Sequence, residues 1–211
     1  QIAHASYIAP ADIARFAELG VAADLSPFIW YPSAFLEGHK QTMGIERATR
    51  FWPNRDLLAA GALMAGGSDW PVIPNPNPWD GMEGLVTRRN PSGAFPGESL
   101  WPEQALDIAT VLEIFTINSA RGMGLEGTIG SLEVGKDADI SVFPLDVARV
   151  TPVGDVVAAV IFAVAGADAK FVAVRGRPLL VDGVPLYRDN GLRDRVKAAG
   201  EALRGWETAQ V

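Results

Sequence analysis

The chain has 211 residues, 48% of them apolar, and a formal net charge of -7, enough to bury a substantial core in one large domain or a domain with a small partner. The acidic balance excludes a nucleic-acid-binding face, which needs a basic excess. The absence of cysteine excludes disulfides, thiolate metal sites and a cysteine nucleophile, and two histidines exclude any site of three or more imidazoles built by this chain alone.

In chain order, Gln1 to Ala5 reads as the end of a strand. The Gln1-Ile2-Ala3-His4 start has neither a basic region followed by an apolar stretch nor an initiator methionine, so the expectation is a chain that starts mid-protein without a secretory signal. Pro10-Ala11-Asp12 opens a helix through Leu19, with proline near its first turn, and Gly20 stops it. Val21 to Ser26 forms the next strand, and part of Arg47 to Ala60 forms a second helix, stopped by Gly61. Ala62 to Ala65 is a third, buried strand that leads into Gly66-Gly67-Ser68-Asp69-Trp70-Pro71. Short apolar strands separated by such helices predict parallel βαβ units.

From Pro71 to Trp101 the many Pro, Gly, Asn and Trp residues and the weak periodicity predict a long loop, of the kind that serves as a functional lid or stays disordered. A helical pattern resumes from Pro102 to about Gly122, with Ala105, Ile108, Ala109, Leu112 and Phe115 on one face. After Gly130, β-like runs at Asp139 to Phe143, Val157 to Ala163, Phe171 to Val174 and Leu179 to Val181 predict a small β-rich unit. Leu192 to Trp206 reads as a surface helix with Leu192, Val196, Ala199 and Leu203 turned inward. No run reaches the roughly 18–20 apolar residues of a membrane helix. The longest, Val156 to Ala165, reads as a buried strand or core segment.

Asp69 follows a buried strand, between two glycines and Trp70-Pro71. The carboxyl ends of strands in parallel α/β folds carry chemistry, because loops converge there on one open face. A carboxylate so placed can ligate a metal or accept a proton from water, and it can equally do no more than cap a turn. His4 stands in the same relation to the first strand, either as a ligand or as a hydrogen-bonded core histidine, whereas His39 lies in a polar stretch and reads as a solvated loop residue. Gly130 to Lys136 imitates a phosphate loop, but Asp137 replaces the Ser or Thr that would meet magnesium and a strand follows instead of a helix, so the nucleotide reading fails. Trp70, Trp79 and Trp101, with Arg88 and Arg89, could wall a substrate pocket on the long loop or simply pin it down.

Taken together, Ile2-Ala3-His4-Ala5, Asp12 to Val21, Gly67-Ser68-Asp69-Trp70-Pro71, Thr116-Ile117-Asn118-Ser119-Ala120-Arg121 and Gly127 to Asp139 resemble the metal-dependent amidohydrolase superfamily. Within it the chain is most similar to the YtcJ-like branch, which includes N-substituted formamide deformylases. The resemblance runs to about Val181 and implies an α/β fold, the C-terminal part of a (β/α)8 TIM-type barrel plus strands of a small β-sandwich. Residues 1–126 would supply barrel strands six to eight with the long loop 71–101, residues 127–190 the sandwich segment, and residues 191–211 a C-terminal helix or tail. It also implies His4 as a metal ligand ending strand six, and Asp69, ending strand eight, as metal ligand and general base for the attacking water. Trp70, Trp79 and Arg89 would line the substrate pocket.

The family's ligands from earlier strands, a His-x-His pair, a middle-strand acidic or carboxylated lysine ligand and a further histidine, have no counterpart here, so the resemblance is to a C-terminal half. The implied activity is hydrolysis of a carbon–nitrogen bond other than a peptide bond, with an amide substrate and a divalent metal, zinc first. The alternative is a catalytically incomplete fragment or subunit, and an isomerase or decarboxylase on the same scaffold is a third reading. The partners expected are a small-molecule substrate and either a second copy or another chain completing the barrel, with no nucleic acid and no membrane. Cytoplasm is the default compartment.

Overall fold

A computed structural model describes residues 1–29, 31–73, 76–148, 150–163, 168–187 and 191–208. The strands β1 (Ile2–Ala3), β2 (Ala23–Leu25) and β3 (Met64–Gly66) form a parallel sheet in chain order. Its register sets Ala3 beside Asp24 and Asp24 beside Ala65. Parallel neighbours need crossover connections. A 3-10 turn at Pro10–Asp12 and α1 (Ile13–Glu18) supply the first, and α2 (Ala34–Met43), α3 (Ile45–Ala48) and α4 (Asn54–Ala59) supply the second. Ala23, Leu25 and Met64 turn one sheet face into a core completed by Phe51, Leu57, Leu85, Val111 and Ile114. The intervening Asp24 is only half-buried, as the two-residue alternation of a strand requires.

The stretch 71–101, expected to be a loop, contains α5 (Pro78–Thr87). Asn77 caps it through Oδ1, which accepts the Trp79 N–H at 3.4 Å, and Pro78 stands in its first turn. Gly81 and Gly84 hide the helical signal, because each glycine costs a helix about 1 kcal/mol relative to alanine. They are there for contact: a Cβ on Gly81 would lie 2.9 Å from Phe28 Cε2, and one on Gly84 would lie 2.9 Å from Tyr31 Cδ1. The helix ends at Arg88 in left-handed backbone. Arg88 is fully buried, with Nε donating to the Leu100 carbonyl at 2.7 Å and Nη2 to the Phe51 carbonyl at 3.3 Å. The Leu100 N–H returns a bond to the Arg88 carbonyl at 2.8 Å, closing the intervening segment.

The single helix expected over 102–122 is instead a 3-10 turn at Pro102–Gln104, then α6 (Ile108–Phe115) and α7 (Ile117–Gly122), with the break at Thr116. The break brings Ser119 onto β3: its Oγ accepts the Gly66 N–H at 3.0 Å and lies 2.8 Å from the Ile114 carbonyl.

A second sheet, antiparallel and in chain order, contains β4 (Ile140–Val142), β5 (Phe171–Val174), β6 (Arg177–Val181) and β7 (Val184–Pro185). The run Val157 to Ala163, read as a strand, is a helix: α8 (Val156–Phe162). A continuous apolar run does not distinguish strand from helix by periodicity, and the cap decides here, with Asp155 Oδ1 accepting the Ala158 N–H at 2.9 Å. Residues 164 and 165, at the end of that apolar run, lie outside the described residues. The C-terminal helix α9 (Leu192–Thr208) forms, but Leu192, Val196 and Ala199 are exposed rather than inward, and the Leu203 side chain lies outside the described set. No helix among the described residues is long and apolar enough to cross a membrane.

Candidate active site

His4 directly follows β1, Ser26 directly follows β2, and Asp69 stands three residues beyond β3, so all three lie at the same edge of the parallel sheet. His4 and Asp69 both have left-handed backbone, with φ of 62° and 59°. Such conformations cost a non-glycine residue about 1–3 kcal/mol and persist where surrounding structure imposes them. At Asp69 the surrounding structure is a turn: the Ser68 Oγ accepts the Trp70 N–H at 3.1 Å, and the Asp69 carbonyl accepts the Val72 N–H at 2.9 Å. The Gly67 N–H donates to the Leu25 carbonyl at 2.8 Å, which carries strand pairing up to the turn.

His4 Nε2 faces Asp69 Oδ2 at 4.0 Å, while His4 Nδ1 lies 3.0 Å from Ser26 Oγ. Both side chains of the facing pair are open to solvent, at 42% and 30% exposure, so a ligand can reach them. Asp24, one layer down on β2, accepts a hydrogen bond from Gln1 Nε2 at 3.4 Å. Burial pushes its carboxyl above the ordinary range, against the pull of His4 and the chain's amino group, and the charge of Asp69 adds to the rise.

A divalent cation binds imidazole nitrogen and carboxylate oxygen at about 2.0–2.2 Å each. Two such donors on a tetrahedral ion stand about 3.4 Å apart, so the 4.0 Å gap between this nitrogen and this oxygen is about half an ångström wider than a shared zinc requires, while the donor types suit zinc. The pair fits a metal as two of its ligands. Among the described residues no group of three His, Cys, Asp or Glu side chains is gathered to hold one.

The profile of the amidohydrolase family matches residues 1–187. The chain belongs to that family. It is 26% identical over 204 residues to a 5-methylthioadenosine/S-adenosylhomocysteine deaminase of Haloarcula marismortui, covering 96% of this chain and 42% of that protein. It is 34% identical over 112 residues to an S-triazine hydrolase of Gordonia rubripertincta, covering 48% of this chain and 24% of that protein. Among solved structures it resembles a variant atrazine chlorohydrolase from Arthrobacter aurescens complexed with zinc and atraton, at 26% identity and a TM-score of 0.67, covering 95% of this chain and 40% of that one. The match thus spans between about a quarter and two-fifths of the length of these longer relatives.

The other residues singled out in this amidohydrolase sequence do not gather at the facing pair. Trp70 adjoins Asp69 and is exposed. Trp79 sits in α5 with its ring edge-on to Phe143 at 5.9 Å, lining an apolar groove of about 660 Å3 with Val142, Val160 and Val172. Arg89 is exposed just beyond α5, and it is Arg88 that is buried. His39 is not on a solvated loop, because the Ser33 cap starts a helix that runs through it. Its ring packs 4.9 Å from Phe51, and its Nδ1 is buried without a hydrogen-bond partner among the described residues. Burial likewise pushes the Tyr7 phenol up to about 12, against the nearby Arg47, so it stays neutral. Sequence reasoning missed Ser26 and Asp24. The signal for Ser26 was available: it follows its strand directly, as His4 follows β1.

Proposed function

We propose that His4 and Asp69 are two ligands of a divalent metal, zinc by donor chemistry, in a hydrolase that cleaves a carbon–nitrogen bond other than a peptide bond. The observation that carries this reading is the facing of His4 Nε2 and Asp69 Oδ2 at 4.0 Å, at the carboxyl edge of a parallel sheet. Family membership supports it, as do relatives whose names are deaminase and triazine hydrolase and a similar structure that holds zinc. In this reading the parallel strands are strands six to eight of a (β/α)8 barrel, and the antiparallel sheet belongs to a small β-sandwich.

A bound divalent metal supplies Lewis acidity, lowering the pKa of water and polarising a carbonyl oxygen. Asp69 holds the proton removed from the attacking water, and the hydrogen bonds of its turn hold the carboxylate across the strand ends. His4 contributes a neutral nitrogen donor whose orientation is fixed from its far side. The substrate is a small molecule, with an amide as the first class to test and N-substituted formamides as its simplest members.

A second reading is favoured by one observation. Catalytic zinc takes about three protein ligands, and the described residues bring together two candidate donors and no group of three. Here the site is complete only with donors from another chain or segment, and this chain acts as one part of it.

Both readings meet the same experiment. Asp69→Asn is expected to lower turnover by orders of magnitude with the fold intact, and His4→Ala to lower the zinc content of the purified protein. Unchanged turnover in the first variant, or unchanged zinc in the second, removes that residue from the site. Zinc uptake and turnover by the monomeric chain would reject the second reading.

A further inference from the structure

The residue in contact with the far side of His4 is Ser26. It is 7% exposed, and its hydroxyl meets His4 Nδ1 at 3.0 Å, on the side of the ring away from Asp69. The contact is compatible with either donor direction, because a hydroxyl donates one hydrogen bond and accepts others. We propose that Ser26 is the positioning residue of His4, a reversible hydrogen-bond partner that holds the imidazole in one orientation whichever ring nitrogen carries the proton. This rests on His4 being a metal ligand.

Two states follow from the geometry. Without a metal, the ring proton sits on Nε2, which faces the Asp69 carboxylate, and the Ser26 hydroxyl donates to the bare Nδ1. With a cation on Nε2, that nitrogen has released its proton to solvent and Nδ1 has taken one up, so the ring is neutral in both states. Nδ1–H then donates to Ser26 Oγ. A carboxylate or a backbone carbonyl would serve only the second state, being an acceptor alone. A hydroxyl serves both without moving the ring, and so leaves the Nε2 direction unchanged between the free and loaded protein. Ligating histidines commonly have their other ring nitrogen fixed in this way, and loss of the partner lowers metal affinity about 10–100-fold.

The test uses the 211-residue chain labelled with 15N, at a pH of about 8 where imidazole is neutral. Long-range 1H–15N correlations read the proton on each ring nitrogen, and His39 serves as the internal reference for folding. The wild type is expected to show His4 protonated on Nε2 without metal and on Nδ1 after zinc chloride is added. In Ser26→Ala the metal-free nitrogens average between tautomers, and zinc affinity, measured by competition with a chromophoric chelator, falls about 10–100-fold. S26T and S26V share one shape, so restoration by the first and not the second assigns the effect to the hydroxyl rather than to packing. Ring nitrogens in S26A or S26V identical to wild type would overturn the proposal. Failure of the wild-type chain to take up zinc would instead favour a site completed by donors from another chain or segment, and the metal-free comparison would still decide the role of Ser26.

Discussion

Removal of the Ser119 hydroxyl tests how the site is anchored from behind. Ser119 Oγ accepts the Gly66 N–H at 3.0 Å and lies within reach of the Ile114 carbonyl at 2.8 Å and the Gly66 carbonyl at 3.2 Å, its one proton serving one of these at a time. It therefore ties the last residue of β3 to α7. In Ser119→Ala the Gly66 N–H loses its acceptor, and a stranded donor at a partly buried position costs about 1–3 kcal/mol. The methyl of alanine fits where the serine side chain was, so no overpacking adds to this. For a chain of this size each kcal/mol moves the thermal midpoint by about 2–4 °C, which gives an expected fall of roughly 2–12 °C. Thermal unfolding followed by circular dichroism reads this directly, and urea unfolding with an unchanged m-value shows that the native fold itself is intact. Because Gly66 lies three residues before Asp69, zinc affinity should fall together with stability. Ser119→Thr keeps the hydroxyl and should recover most of the loss. A change below about 0.5 kcal/mol, the ordinary range for an uninvolved surface site, would refute the clamp and leave the Thr116 to Arg121 motif without this explanation.

Asp107 caps α6, and its hydrogen bonds from the Thr110 side chain and backbone hold its carboxyl below the usual carboxylate range. Its contribution to stability is therefore present above the unfolded carboxylate pKa and lost as pH falls through the lower folded value. Asp107→Ala should cost about 1 kcal/mol at neutral pH, and urea midpoints that differ from wild type by the same amount below both pKa values would contradict this. Gly84→Ala should destabilise by about 1–3 kcal/mol through overpacking, because the new Cβ would meet Tyr31 at 2.9 Å, despite the better helix propensity of alanine. A stabilised variant in thermal unfolding would show that Tyr31 gives way freely.

The elements legible in the sequence were those whose signal is local. The three parallel strands were marked by short apolar runs between glycine-stopped helices, and β5 was marked by a β-branched run between turns. Elements whose form depends on distant partners were misread. The α5 helix looked like loop because Gly81 and Gly84 serve contacts with Phe28 and Tyr31, far away in sequence. The break between α6 and α7 follows from the demand of Ser119 for β3, which no pattern within 102–122 displays. The α8 run carried an N-cap aspartate that outweighs its β-branched content.

The site divides along the same line. His4 and Asp69 stand out in the sequence because each follows an apolar strand, a rule that operates one strand at a time. Their facing depends on strand order: β1 and β3 are not neighbours but flank β2. Adjacent strands lie about 4.8 Å apart, so the two side chains must close a separation of about 10 Å across the middle strand. An imidazole and a carboxylate bring it to 4.0 Å only by reaching over the end of β2. The residue that follows β2 then lies beside the histidine, and in this chain that residue is Ser26, in contact with Nδ1 at 3.0 Å. Its part in the site follows from the order of the sheet, and a strand-by-strand reading of the sequence contains no order.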